Sequence, residues 1–305
     1  MKETVGFIGL GTMGAPMAHN ITKAGFSLVV HDLNPKVAAP HLQEGAKWVE
    51  NPRECAEAVD ILITSLPGPT QCRTVMQGEH GALSGLSDGN LWIDMTTNSR
   101  TLLSTLATEA QQKGIRAIDA PVTGAVDGAR TGTLTIFAGG ETVDIERARP
   151  ILETMGRVIA CGAYGTGTVV KLVTNQLWFI HAAAIGEGLA LGVKAGVEPL
   201  TLWQAIKDSV GDSFVARHDV PSIFAGHYDP SFTLDLCCKD LSLIEQLGTD
   251  KAVPLAMSLK AKERFELARE TYGGQQGELH VAKLVEDEAQ IELRAQGDWK
   301  PHWEV

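Results

Sequence analysis

The sequence predicts an α/β chain in two parts. A mainly parallel sheet covered by helices fills residues 1–163, and an all-α domain, opening on one long helix, fills 164–305. Three observations carry this. Short apolar runs alternate with helical segments through the first half, as βαβ units require. A glycine-rich turn joins the first run to the first helix. After Gly162 the strand-like runs cease and the remaining segments carry a helical period.

Taken in order, Thr4–Leu10 is a continuous apolar run ending in glycines, a strand, and Thr12–Ala24 follows as a helix. Ser27–Asp32 is a second strand and Pro35–Glu44 a second helix. Asp60–Ser65, Asn90–Asp94, Ile115–Asp119, Thr133–Ala138 and Val158–Ala160 are further strands, with helical segments between most of them. Apolar residues on both faces of a strand fit a sheet covered on both sides. Thr166–Lys194 is the long helix, rich in Ala, Leu and Val. Pro199–Ser209, Ser213–Phe224, Leu234–Gly248, Pro254–Arg269 and Glu278–Glu292 are helices, with no clear strand among them. The end, Asp298–Val305, holds two Trp, a Pro and a His and is either a docked tail or a frayed end.

Composition narrows the function classes. The 305 residues are 44% hydrophobic and 21% charged, enough for a sizeable core. A net charge of −11 argues against a nucleic-acid partner, which wants a basic face. The five cysteines (Cys55, Cys72, Cys161, Cys237, Cys238) have no metal-ligand spacing and suit reduced thiols in the cytoplasm, with no metal site. Met1, Lys2 and Glu3 form no basic n-region with a cleavage site ahead of the first strand, so no signal peptide is expected. The most apolar stretch, Leu177–Val193, is shorter than the roughly 20 residues of a membrane span, so a buried helix and no membrane partner are expected.

The turn Gly9-Leu10-Gly11-Thr12-Met13-Gly14 has the form G-x-G-x-x-G between strand and helix. Gly9 permits the tight turn, Gly11 lets a pyrophosphate approach the backbone, and Gly14 lets helix and strand pack closely. The helix N-terminus offers N–H groups and partial positive charge to phosphates. Asp32 ends the second strand 18 residues after Gly14, where an acid hydrogen-bonds a ribose 2′-OH and repels a 2′-phosphate. No Arg follows closely, so NAD is favoured over NADP. The expected cofactor contacts are these six turn residues, Asp32 and Asn34. The ordinary alternative is a structural turn and a surface Asp.

Other candidates stand at strand ends. Leu66-Pro67 and Thr96-Thr97 lie where ligands bind in such sheets, though a proline loop and a helix cap would look the same. Thr123-Gly124, in Asp119-Ala-Pro-Val-Thr-Gly-Ala125, could clamp a carboxylate with a hydroxyl and backbone N–H groups, or merely cap a helix. Lys171 and Asn175 share one face of the long helix, whose remainder is apolar. A lysine there is unfavourable unless used or paired, and burial lowers an amine's pKa toward acid/base use. Snorkelling to solvent is the open alternative. Lys239, before Asp240, could return to the cleft as a positive group; a solvated charge pair is the plainer reading.

Together these residues resemble the β-hydroxyacid dehydrogenase family. The resemblance runs along nearly the whole chain: GFIGLGTMGAPMA, LP at 66–67, DMTT at 94–97, DAPVTGA, GxxGxGxxxKxxxN and FxxxLxxKD. It implies a Rossmann-type N-terminal domain, an all-α C-terminal domain joined by a long helix, and a homodimer or homotetramer. It implies a nicotinamide cofactor and a small carboxylate-bearing substrate. Lys171 would be the general acid/base, Asn175 would position substrate, Thr123 and Gly124 would bind the carboxylate, and Lys239 would sit near cofactor and substrate. The expected reaction interconverts a β-hydroxy acid and its semialdehyde, as with 3-hydroxyisobutyrate. Tartronate semialdehyde and γ-hydroxybutyrate/succinic semialdehyde are alternatives. The related imine reductases generally lack the lysine, and a non-catalytic dinucleotide-binding module would need neither Lys171 nor Asn175. A 6-phosphogluconate dehydrogenase should be longer and more basic. One departure stands out: the family usually has Ser-Gly-Gly where this chain has Thr123-Gly124-Ala125, and the added Cβ matters if position 125 takes a positive φ.

Overall fold

The structure is a computed structural model that describes residues 2–301. The chain divides into two compact units, 1–171 and 172–305. The expected domain boundary at 163 lies just ahead of the long helix; the units part inside it.

In the first unit, β1 (Val5–Ile8), α1 (Gly14–Lys23), β2 (Leu28–His31), α2 (Ala39–Gln43), β3 (Lys47–Trp48), α3 (Pro52–Glu57), β4 (Ile61–Thr64) and α4 (Pro69–Gln77) come first. They are followed by β5 (Leu91–Asp94), α5 (Arg100–Gln112), β6 (Arg116–Asp119), β7 (Val122–Thr123), α6 (Ala125–Thr131), β8 (Leu134–Gly139), α7 (Thr142–Leu152) and β9 (Gly156–Gly162). The sheet order is β3-β2-β1-β4-β5-β6-β8-β7, with β9 also on β8. The first six strands are parallel, β8 runs antiparallel to β6 and β7, and β9 is parallel to β8.

Strand residues alternate between two apolar layers. Val5, Phe7, Ile61, Ile63, Leu91 and Ile93 face α1, α6 and α7, while Ile8, Val29, Leu62 and Trp92 face α3, α4 and α5. The period of two puts successive side chains on opposite faces. Each buried Leu, Ile or Val contributes about 1.5–3 kcal/mol, so both layers hold the sheet. The parallel order brings the C-terminal ends of β1, β2, β4 and β5 to one edge, with Ile8 beside His31 and Thr64, and Thr64 beside Asp94.

The long helix α8 is Thr166–Lys194. At 29 residues it is long and apolar enough, by length and composition alone, to cross a membrane. This corrects the expectation that the stretch is too short, because Gly186 and Glu187 do not interrupt the helix. Its Leu172, Phe179, Ala182, Ile185 and Leu189 instead enter the core of the second unit.

That unit continues with α9 (Pro199–Lys207), a π-helical turn over Val215–Asp219, α10 (Val220–Ala225), α11 (Leu234–Asp250), α12 (Ala256–Tyr272) and α13 (His280–Ala289). Among the described residues its β pairing is one isolated bridge, Thr233 with Gly277. Phe179 meets Phe265 edge-on at 5.4 Å in its core. Trp299 docks there too, 5.6 Å from Trp203 and 5.8 Å from Phe224. Residues 302–305 of the expected tail lie outside the described residues.

Candidate active site

The glycine turn is shaped as its spacing demands. Gly9 takes φ +103°, and a Cβ there would drive into the Ser65 carbonyl oxygen. A Cβ on Gly14 would drive into the Gly9 carbonyl oxygen, whereas one on Gly11 would meet nothing within 4 Å. Gly9 and Gly14 are therefore fixed by packing, and Gly11 faces open space. No side chain caps the N-terminus of α1, which opens beside Thr12 and Met13. By contrast, Ser99 caps α5 and Asn51 caps α3. An uncapped helix start behind an open glycine fits a dinucleotide pyrophosphate.

Asp32 binds the turn directly. Its Oδ2 accepts the Leu10 N–H at 2.8 Å and its Oδ1 the Asn34 N–H at 2.9 Å. Asn34 in turn accepts the Lys36 N–H. The next two loops are also joined: the Leu66 N–H donates to Thr96 Oγ1 at 3.1 Å. Thr96 is 2% exposed. Pro67 and Thr97 flank this contact in the chain.

Thr123 pairs with Thr135 across β7 and β8, and Gly124 opens α6 without a side-chain cap. Gly124 takes φ +125° and Ala125 φ +57°. Position 125 thus has the left-handed backbone for which an added Cβ is unfavourable.

The glycines ahead of Lys171 have a packing reason. Gly162 and Gly165 take φ +115° and +87°, and a Cβ on Gly167 would strike the Phe137 carbonyl oxygen. The start of α8 therefore lies hard against the end of β8. Asp119, buried at the end of β6, caps it: Oδ1 accepts the Gly165 N–H and Oδ2 the Thr168 N–H, both at 2.6 Å. Burial pushes the Asp119 carboxyl up, while these N–H groups pull it back. Lys171 follows three residues after Thr168 and is 9% exposed, which argues against snorkelling.

In the second unit Asn175 donates from Nδ2 to Asp240 Oδ2 at 2.8 Å. Lys239 pairs with Asp240 Oδ1 at 2.7 Å, and Asp240 is 1% exposed. This is a buried carboxylate holding an amide and an ammonium, not a solvated pair. Sequence reasoning missed Asp240 as a site residue, although it stands in the same motif as Lys239. It placed Asp94 and Asp119 at strand ends and in the DMTT and DAPVTGA motifs but gave neither a role.

A family model described as the NAD binding domain of 6-phosphogluconate dehydrogenase matches residues 4–165. A second, described as NAD-binding of NADP-dependent 3-hydroxyisobutyrate dehydrogenase, matches 165–285. The 2-(hydroxymethyl)glutarate dehydrogenase of Eubacterium barkeri is 37% identical over 284 residues, covering 92% of this chain and 94% of the relative. The 3-hydroxyisobutyrate dehydrogenase of Pseudomonas aeruginosa is 35% identical over 268 residues, covering 85% and 89%. The solved 3-hydroxyisobutyrate dehydrogenase of Mycobacterium tuberculosis, with L-serine, superposes with a TM-score of 0.85 at 28% identity, covering 93% of this chain and 99% of that one. Both halves are matched in order, the glycine turn is shaped for a dinucleotide, and a relative of this identity spans nearly all of the sequence, so the chain belongs to the β-hydroxyacid dehydrogenase family of nicotinamide-dependent oxidoreductases acting on CH–OH groups.

Proposed function

We propose that the protein interconverts a small β-hydroxy acid and its semialdehyde with NAD, using Lys171 as general acid/base. The observation that carries this is the face of α8 on which Asn175, fixed by buried Asp240, follows Lys171 by one helical turn. Nicotinamide, when bound, supplies the hydride acceptor or donor. In oxidation, neutral Lys171 takes the proton of the substrate hydroxyl; in reduction, the protonated amine returns it to the carbonyl oxygen. Asn175 orients that oxygen. Thr123 and Gly124, at the uncapped start of α6, hold the carboxylate. Lys239 adds positive charge against the acidic background. Asp32 accepts from the ribose hydroxyls and disfavours a 2′-phosphate.

The named relatives support the substrate class. 3-Hydroxyisobutyrate and 2-(hydroxymethyl)glutarate each carry a primary alcohol β to a carboxylate. A homodimer or homotetramer is part of the same reading: Val173, Leu177 and Leu191 expose 44, 51 and 74% along one stripe of α8. An apolar stripe repeating at the helical period wants a partner surface.

The test is turnover with NAD and NADP against short β- and γ-hydroxy acids and their semialdehydes. A strong NAD-linked β-hydroxy acid activity is expected. Lys171→Ala should lower kcat by at least about 10²; near-normal turnover in that variant ends the assignment.

A further inference from the structure

β5 ends in Asp94, a carboxylate with no exposed surface. Thr64 Oγ1–H donates to Oδ1 at 2.8 Å, the Thr96 N–H to the same oxygen at 3.3 Å, and Asn98 Nδ2–H to Oδ2 at 2.8 Å. These donors come from the end of β4, the loop after β5 and the approach to α5. Each is tied onward. Thr64 accepts the Trp92 Nε1–H at 3.0 Å, and Thr96 Oγ1 accepts the Leu66 N–H at 3.1 Å. Asn98 Oδ1 accepts the Ser99 N–H at 2.8 Å, and Ser99 caps α5. One buried anion thereby joins the Leu66-Pro67 loop to the Thr96-Thr97 loop. Among the described titratable groups, Cys72 of α4 and Tyr164 ahead of α8 act on or feel this charge; burial pushes both up, so both stay neutral. Asp119 also acts on Tyr164 and raises it further.

We propose that Asp94 is a positioning residue for the dinucleotide: its ionised carboxylate acts through Thr64, Thr96 and Asn98 to hold the two bordering loops, and cofactor affinity depends on it. The proposal rests on the reading that these loops border the cofactor. The anion suits this network best, because the three groups hydrogen-bonded to the carboxylate all donate and it carries no donor of its own. A protonated carboxyl can still accept all three but adds an O–H that faces groups already donating, and an amide nitrogen in place of either oxygen leaves Thr64 or Asn98 facing a donor. Burial raises the Asp94 carboxyl to about 6, with Asn98, Thr96 and Thr64 pulling it down. Measured from a buried Asp94 whose loops have let go, these donors favour the anion, so the loop order they supply is lost as pH falls through that value.

The experiment is NADH fluorescence titration of the full chain across pH, with melting temperature measured in parallel. Asp94→Asn should weaken NADH binding at neutral pH by about tenfold or more and raise KM for dinucleotide in step, with kcat at saturation within about threefold. Asn98→Ala keeps the carboxylate but removes a donor that lowers its pKa. The acid limb of NADH binding should then move to higher pH, a shift that a purely structural role would not produce. Asn98→Ala alone carries the test if Asp94→Asn does not fold. Wild-type affinity in either variant beside a lowered melting temperature, or an unmoved acid limb, overturns the proposal. A wild-type chain that binds no NADH overturns the cofactor reading beneath it.

Discussion

Asp94 in the first unit and Glu278 in the second are both buried carboxylic acids pushed upward by desolvation, yet their neighbours are opposite. Asp94 is surrounded by donors. Glu278, 1% exposed, has Asp219 and Asp229 facing it, and among the described residues nothing donates to its Oε2. The donors nearby go to Asp219 instead: Trp178 Nε1 at 3.1 Å and His218 Nδ1 at 2.8 Å. The shared direction of shift conceals two different devices. Asp94, like Asp119, is an anion that arranges backbone. Glu278 is an acid pushed toward its protonated form by burial and by the neighbouring charges of Asp219 and Asp229. The partner set, more than the shift, tells which buried acid serves a site.

Three substitutions would break or sharpen that contrast. The largest effect is expected at Asp119→Ala, which leaves the Gly165 and Thr168 N–H groups without their acceptor. Two buried donors left unsatisfied should lower unfolding free energy by about 2–6 kcal/mol in a denaturant melt. A variant as stable as its parent would remove Asp119 from the arranging class. Glu278→Gln should act in the opposite sense. A carboxyl raised in the folded state keeps its proton longer there than in the unfolded chain. It therefore loses stability as pH rises from the ordinary Glu range through the raised value. The amide removes that loss, so the melting temperature should rise by about 2–4 °C at pH 8 and by less at pH 4. A fall at pH 8 would show that Glu278 works as an anion after all. The smallest effect is expected at Ala125→Gly. Releasing φ +57° from a Cβ should gain roughly 0.5–1 kcal/mol, after allowing for the looser unfolded chain. Comparing KM for substrate in the same variant tests whether the methyl also shapes the carboxylate clamp.

The long strands and helices were legible because their apolar periods are strong. β1, β4 and β5 are unbroken buried runs, and α8 has the residue bounds its composition predicts. β3 and β7 were not, since two residues carry no period. Ser213–Phe224 divides into a π-helical turn and α10, a change of hydrogen-bond spacing that leaves no mark in composition. In the site, Gly9 and Gly14 follow from local chain logic, whereas Asp32 was read only as a ribose acceptor and its tie to Leu10 spans 22 residues. Asp240 and Asp94 were opaque as partners because their contacts span 65 and 30 residues. Ala125 lay between: its residue type flagged a question that only the backbone angle answers.

The cap on α8 also bears on folding order. Asp119 stands 46 positions before Gly165 and 49 before Thr168. The opening turn of that helix acquires its acceptor only after β6 has joined the sheet, and distant pairings of this kind form slowly. The middle of α8 can consolidate on local propensity and its own core while the end that carries Lys171 waits. In pulse-labelled refolding, the amides of Gly165 and Thr168 should gain protection after those around Phe179. Simultaneous protection would mean that the helix start does not wait for the sheet.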